Sequence, residues 1–569
     1  MKASDYIAWS LEQHHVPFVF EMSGGMITHI LDSLNRQGSV PVISVHHEQA
    51  AAFAADAVGR MTGIPGVAMA TSGPGATNLL TGIGSCHFDS SPAVFITGQV
   101  NLNEQKGERA IRQLGFQETD IVAMAEPITK RAWRVKTAQE LPDILNQAFR
   151  LAVQGRPGPV LVDIPMDLQR AQVEASAPLG PGLATPPESQ TYLEQLTRAL
   201  SRARQPLILA GGGVPASATS AQLLAFAQET GVPVVTSLMG LDSIPFDHPL
   251  RIGFIGSYGN RWGNLALGEA DLLIVLGSRL DIRQTGADTE SFKGQREIFH
   301  VDCEAGEINN RLSGCQGLVC ELGEFFQAAA GRLPRGDFAE WRQRLKALQQ
   351  EWPDTAELKE IPGINPNMFM RQLSQIGVSA AAYVVDVGQH QMWAAQSLQL
   401  QPGQRFLTSG GMGSMGFALP AAIGASLCRP GQPTVLIAGD GAFQANIQEL
   451  QTVVRNRLPL KMVIINNQCH GMVRQFQENY FEARYQSTLW GYSAPDFEKV
   501  ARAYGIAAAT VSQPEQVAQA LQDFWKDPSA PQLLQVMVDT YANAYPKIAF
   551  GRPMTEMEPF FKSVAMEST

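Results

Sequence analysis

From Ala438 to Asn467 the chain reads "AGDGAFQANIQELQTVVRNRLPLKMVIINN". The apolar runs "TVLIAGD" (434–440) and "LKMVIINN" (460–467) predict two buried strands, joined by a helix over "NIQELQTVVRN". Parallel strands covered on both faces read this way, and their carboxyl ends open into a ligand crevice. Asp440 and Asn467 are therefore expected side by side at that edge. One carboxylate beside neutral oxygens suits magnesium, which completes its octahedron with phosphate oxygens and water. The flanking glycines let the backbone approach a diphosphate. Either turn alone would be an ordinary strand-to-helix connection; the pair at this spacing is more specific.

The same alternation extends outward in both directions. Over 16–98, "VPFVFEM", "VPVISV", "GVAMAT" and "PAVFITG" read as strands. The segments "GGMITHILDSLNRQ", "HEQAAAFAADAVGRMTG" and "GATNLLTGIGSCHF" read as helices between them, with "RPGPVLVDIP" as a last strand. A Pro/Gly/Ala/Ser linker over 175–190 precedes a second alternation, "PLILAGGG", "VPVVTS", "DLLIVLGSRL" and "REIFHVD". "DFAEWRQRLKALQQEWPD" predicts an amphipathic connecting helix. The third alternation adds "AAYVVDVG" and "PQLLQVMVD" to the opening pair. The expected architecture is α/β: three doubly wound parallel-sheet domains at 1–172, 190–335 and 363–545. The stretch 546–569 shows no periodicity and reads as a capping tail.

Composition narrows the function class. The 569 residues are 45% hydrophobic and 17% charged, with net charge −10, so neither nucleic acid nor an anionic membrane is an expected partner. No run of about 18 apolar residues predicts a spanning helix. The N-terminus carries Asp5 and Glu12 and does not read as a signal peptide. The six cysteines lack zinc or thioredoxin spacing, which suits reduced thiols in a cytoplasmic protein.

Gly-Asp-Gly followed some 25 residues later by Asn-Asn resembles the diphosphate–magnesium motif of thiamine-diphosphate enzymes. "DVGQHQMWAAQ" (386–396) and "TSGGMGSMGFALPAAIGA" (408–425) resemble the cofactor segments of the acetohydroxyacid (acetolactate) synthase family. The resemblance implies Asp440, Asn467 and the Cys469 carbonyl as metal ligands. It implies cofactor contacts at Gly388, Gln389, His390, Gly413, Gly439, Gly441, Ala442, Gly471 and Met472. Met415 would be the apolar wedge that holds the cofactor bent, although alone it could be a core methionine.

"SVHHEQAAAFAADAVGRMTG" and "TSGPGATN" resemble the first domain of the same family. There Glu48 would be the partly desolvated carboxylate that shares a proton with the aminopyrimidine. A first-turn acid stabilising the helix dipole is the plainer alternative. His46 and His47 read as structural. Gly25, Pro74 and Asn78 would also contact cofactor. Gln117 would sit near the substrate carbonyl, with Phe116 lining the pocket. In this family the site forms between the first domain of one subunit and the third of its partner, which implies at least a homodimer.

In the middle domain "ILAGGGVPA" fits Gly-x-Gly-x-x-Ala, but no acid follows "VPVVTS", so a nicotinamide dinucleotide is not expected. The region resembles the family's FAD-binding domain, where the flavin is structural. Gly212, Gly213, Ser237, Arg279, Asp281, Arg283 and Asp302 would contact it, with Arg156 reaching from the first domain; an empty middle domain is the alternative.

The resemblance covers nearly the whole chain and frays around the acceptor. The synthases usually have Trp at Phe476, Met-His at Ser257-Tyr258, and a second acid at Ile282. Arg283, which in the family recognises the acceptor's carboxylate, is kept. Smaller residues at 257 and 476 enlarge the pocket. That region and the tail look more like thiamine enzymes that add a two-carbon unit to a nucleotide-linked keto-sugar. The expected function is a carboligase that decarboxylates pyruvate and transfers the two-carbon unit to a carbonyl acceptor, either a second 2-oxo acid or a larger ketone. An FAD-dependent pyruvate oxidase, a simple 2-oxo acid decarboxylase and a non-catalytic binding protein are the alternatives.

Overall fold

The computed structural model describes residues 1–175, 177 and 189–564; the expected linker falls mostly outside them. Three six-stranded parallel sheets follow in series. The first holds β1 Val19–Met22, β2 Val42–Ser44, β3 Gly66–Ala70, β4 Ala93–Gln99, β5 Arg131–Arg134 and β6 Pro159–Pro165. The second holds β7 Pro206–Ala210, β8 Val234–Thr236, β9 Arg251–Phe254, β10 Leu272–Leu276, β11 Glu297–Asp302 and β12 Gln316–Val319. The third holds β13 Ala382–Val385, β14 Arg405–Thr408, β15 Thr434–Gly439, β16 Leu460–Asn466, β17 Ala507–Val511 and β18 Gln532–Met537.

The first sheet runs β2-β1-β3-β4-β6-β5 and the third β14-β13-β15-β16-β18-β17, one topology used twice. The second runs β12-β11-β10-β7-β8-β9, the order of dinucleotide-binding folds, whose ligands sit where the winding reverses. Here that point lies between β7 and β10. In the outer sheets it lies between β1 and β3, and between β13 and β15.

The inner strands are apolar runs buried at nearly every position. β15 and β16 pair directly, Gly439 opposite Ile465, as their sequences predict. The first and third domains share one core. Helix Glu48–Thr62 packs on helix Ala418–Cys428, and both contribute buried alanines to that core, among them Ala50, Ala51 and Ala54 from the first and Ala421, Ala422 and Ala425 from the second. The approach is so close that a Cβ on Gly424 would fall 2.3 Å from the Ala54 carbonyl oxygen. Phe53 meets Phe417 edge-on, ring centroids 5.4 Å apart.

The tail has more structure than its sequence suggests. β19 Lys547–Ile548 and β20 Met557–Glu558 pair antiparallel. Ile548, Met554 and Met557 complete the middle domain's core. Arg261 holds the tail in place by donating to the Glu558 carbonyl at 3.0 Å while ion-paired to Glu357 at 2.7 Å.

Candidate active site

In the third domain the polar strand ends converge at the switch point. β15 delivers Asp440 into the short helix Asp440–Gln444, with Ala442 buried behind it. Asp440 Oδ2 is buried without a hydrogen-bond partner. Burial lifts its carboxyl to about 6; the Tyr492 hydroxyl, near but outside hydrogen-bond geometry, and the Gly441 N–H oppose the rise. An orphaned buried carboxylate oxygen is costly unless something occupies it. Among the described residues no three His, Cys, Asp or Glu side chains converge. A cation here would rely on Asp440, amide and carbonyl oxygens and a ligand's phosphates, a set magnesium accepts.

Asn467 is held from both ends. Its Nδ2 donates to Gln389 Oε1 at 3.1 Å, and its Oδ1 accepts from the Cys469 N–H at 3.2 Å. Gln389 is fixed in turn by donating to the Ala542 carbonyl at 2.9 Å. Helix Gly471–Tyr480, which carries Met472 and Phe476, starts against this pair. A Cβ on Gly471 would lie 1.9 Å from Gln389 Oε1 and 2.6 Å from Asn467 Nδ2, so any side chain there must push this pair aside. From β13, Gly388 leads to His390, whose Nε2 accepts the Gly439 N–H at 3.2 Å. Burial pushes this imidazole down to about 3, which keeps it neutral in that accepting role.

The loop after β14 carries Gly413, at φ 69°, and Met415, 42% exposed. Asp386 organises its far side by accepting the Gly416 N–H at 3.0 Å and the Ala418 N–H at 2.9 Å. Met415 is not in the core, which removes the plainer reading of that methionine.

In the first domain Glu48 opens helix Glu48–Thr62, 9% exposed, with His47 accepting the Gln49 N–H. Asn78 donates to Glu48 Oε2 at 2.9 Å. Pro74 begins the turn Pro74–Asn78 on the neighbouring strand end, and Gly25 lies at the end of β1. Gln117, at φ 65°, backs onto Gly73, where a Cβ would come within 2.9 Å of its own. Phe116 is 81% exposed. His46 does backbone work, its N–H donating to Glu449 of the third domain at 2.9 Å.

These are two half-sites. The structure brings Asp440, Asn467, Cys469, Gln389 and His390 together, and separately Glu48, Asn78, Pro74 and Gly25. Among the described residues no hydrogen bond or ion pair joins Glu48 to the Asp440 cluster.

A third feature is a cleft of about 1570 Å³, its open mouth included. Gly212, Gly213, Ser237, Arg279, Asp281, Asp302 and, from the first domain, Arg156 line it. Ser257, Tyr258 and Arg283 stand in the same cleft. Arg156 is braced by Glu304 at 2.7 Å and Glu307 at 2.6 Å. The Arg283 guanidinium has no hydrogen-bond or ion-pair partner among the described residues. The cleft sits at the middle sheet's switch point, where a dinucleotide belongs.

Comparison with known proteins matches residues 1–124, 193–329 and 386–536 to the N-terminal TPP binding, central and C-terminal TPP binding domains of thiamine pyrophosphate enzymes. The acetolactate synthase isozyme 2 large subunit of Escherichia coli (strain K12) is 38% identical over 98% of this chain and 99% of its own length. The acetolactate synthase large subunit of Corynebacterium glutamicum is 36% identical over 99% and 91%. The chloroplastic acetolactate synthase of Arabidopsis thaliana is 37% identical over 97% and 83%.

The chain belongs to the acetolactate synthase family of thiamine-diphosphate enzymes.

As a family member it is an enzyme that decarboxylates and then forms a carbon–carbon bond. The sequence reading missed three side chains of this candidate site. Asp386, which burial lifts to about 6, shapes the Met415 loop from inside a quoted motif. Tyr492 and His470, rings 4.4 Å apart, roof Gly441 beside the metal-type cluster. No motif announces Tyr492, which comes from an irregular segment 52 residues after Asp440. Among the described residues no helix is long and apolar enough to cross a membrane.

Proposed function

We propose that this chain decarboxylates pyruvate and transfers the resulting two-carbon unit to a carbonyl acceptor, using thiamine diphosphate, magnesium and a structural FAD. The observation that carries the reading is the pair of half-sites. One has a buried carboxylate oxygen without a partner; the other presents a carboxylate held by a single amide.

When bound, thiamine diphosphate supplies the electron sink for decarboxylation. In this reading Asp440, Asn467 and the Cys469 carbonyl hold magnesium. Gly388, Gln389, His390, Gly439, Gly441, Ala442, Gly471 and Met472 cradle the diphosphate, and the Gly413 carbonyl and Met415 orient the organic part. Glu48, steadied by Asn78, exchanges a proton with the aminopyrimidine, while Gly25 and Pro74 close that wall. Gln117 orients the substrate carbonyl and Phe116 keeps the pocket apolar. Because Glu48 makes no hydrogen bond or ion pair to the Asp440 cluster of its own chain among the described residues, we assign the complete site to a homo-oligomer, with Glu48 of one protomer facing Asp440 of its partner. The six free cysteines suit a reducing, cytoplasmic setting.

The middle cleft suits FAD by its sheet order and glycine turn, with Gly212, Gly213, Ser237, Arg279, Asp281, Asp302 and Arg156 as contacts. The unpaired Arg283 favours an acceptor bearing a carboxylate or phosphate. Ser257 and Phe476 leave more room than the family's usual Met and Trp, which favours an acceptor bulkier than pyruvate, such as a nucleotide-linked keto-sugar.

The test is incubation with thiamine diphosphate, magnesium and pyruvate, with and without candidate ketones, and product identification by mass. A two-carbon adduct of the ketone supports the larger acceptor; acetolactate alone supports the second 2-oxo acid. Peroxide with flavin bleaching would replace this reading with an oxidase, and free acetaldehyde alone with a simple decarboxylase.

A further inference from the structure

The flavin-type cleft and the thiamine-side segment meet around Met239, where Gly410 and Asp89 also line the cleft. Met239 follows β8 and lines the cleft. It is wedged between two glycines: a Cβ on Gly212 would lie 2.9 Å from Met239 Cβ, and one on Gly410 would lie 2.4 Å from its sulfur. Gly212 belongs to the dinucleotide turn. Gly410 opens the segment that continues to Gly413 and Met415. A group pressing on the cleft wall at Gly212 therefore bears on that segment through Met239, beside Gly410 and Asp89, which line the cleft themselves.

The other side of the segment is clamped by the first domain. Asp89, the last residue of helix Leu80–Asp89, has a buried side chain that also borders the cleft. Its Oδ2 accepts the Gly410 N–H at 3.1 Å and its Oδ1 the Gly411 N–H at 2.6 Å. Arg60 completes the clamp. It pairs with Asp89 at 3.0 Å and Asp56 at 2.6 Å, and donates to the Thr408 carbonyl at 2.7 Å. Ser409 Oγ accepts the Ser414 N–H at 3.1 Å and meets Ser85 Oγ at 3.3 Å. Next to Asp89, Ser90 accepts from Arg156, the first-domain residue of the cleft, at 2.8 Å.

We infer that Met239 and Asp89 are positioning residues that couple occupancy of the middle cleft by FAD to the affinity of the Gly413–Met415 loop for thiamine diphosphate. The inference rests on the flavin reading above. FAD immobilises Met239 and the Ser90–Arg156 wall, and Asp89 passes that order to Gly410 and Gly411. Thiamine diphosphate then meets a loop whose ordering cost has been met in part. Coupling between two binding sites is reciprocal, so each ligand tightens the other by the same factor.

The experiment uses the full-length chain freed of cofactors, as wild type, Asp89→Asn and Met239→Ala. Thiamine diphosphate affinity is measured calorimetrically at saturating magnesium with and without FAD. FAD affinity is measured by flavin fluorescence with and without thiamine diphosphate. The wild type should show tightening of at least about fivefold, equal in both directions, and each variant less than about twofold. Met239→Ala leaves the buried Arg60–Asp89 pair intact and decides the matter if Asp89→Asn does not fold. Wild-type coupling retained in the variants, or a wild type that binds both ligands independently, would overturn the inference. A wild type that binds thiamine diphosphate but takes up no FAD would instead overturn the flavin reading, and the coupling with it.

Discussion

Asn78 grips only one oxygen of Glu48. The 2.9 Å bond reaches Oε2, while Oε1 faces Gly75, where an added Cβ would come within 3.2 Å. One oxygen is steadied and the other stays available to a ligand. Glu48→Gln keeps the shape and removes the exchangeable charge. It should bind thiamine diphosphate with near wild-type affinity and lose about 10²–10⁴-fold in kcat. Calorimetry beside a pyruvate-consumption assay checks both halves, and undiminished turnover would refute the assignment.

Gly471→Ala tests the cradle without touching a charge. The new Cβ would displace Gln389 from Asn467. Alanine favours helix over glycine, so any loss cannot come from the helix itself. Affinity for thiamine diphosphate with magnesium should fall about 10–100-fold, the usual effect of disturbing groups that orient metal ligands. An unchanged affinity would show that the Gln389–Asn467 contact is idle.

Pocket volume is tested by restoring bulk. Ser257→Met with Phe476→Trp should move product from the larger ketone adduct towards acetolactate by about tenfold or more, the discrimination that small volume changes give in apolar pockets. Competition of the two acceptors in one reaction, read by mass, measures the ratio. A ratio that stays constant would remove these two positions from acceptor choice.

A buried acid sets a pH trend in stability. Burial raises Asp163 to about 7, with the Thr97 and Gln99 hydrogen bonds lowering it only in part. The native state thus keeps a proton that an unfolded Asp releases near pH 3.9. The stabilisation from this group is complete below that value and is lost as pH rises through about 7. Wild-type melting temperature should decline from about pH 5 to 8 through this group, and Asp163→Asn should flatten the decline. Melting curves across that range decide it; an unaltered slope would assign the trend elsewhere.

At the crossing of helices Glu48–Thr62 and Ala418–Cys428, Gly424→Leu should lower stability by about 1–3 kcal/mol or more, since the backbone of Ala54 cannot yield to a side chain. Denaturant midpoints measure this. An unchanged midpoint would mean that the two domains slide freely.

The inner strands were readable because both faces are buried, so apolar runs such as "TVLIAG" and "LKMVII" carry the signal alone. In the three parallel sheets the five unread strands, β5, β9, β12, β14 and β17, all lie at sheet edges. β12 buries a single residue and β17 only Ala508 and Val511, three apart, which leaves no strand pattern to stand out. The site was legible where glycine and a polar strand end coincide, as at Asp440, Asn467 and Gly388. It was illegible where a residue arrives from an irregular segment, as Tyr492 does, or where a buried acid serves a distant loop, as Asp89 and Asp386 do. The tail escaped for the same reason: its three core residues are spaced for a hairpin lying on another domain, not for a helix or sheet of its own.

The alanine-lined seam between helices Glu48–Thr62 and Ala418–Cys428 has an implication for dissection. Neither outer domain is a detachable module. A fragment cut free of its neighbour would bare a flat stripe of small apolar side chains with nothing to seat against, and would be recovered as aggregate rather than as an independent folding unit.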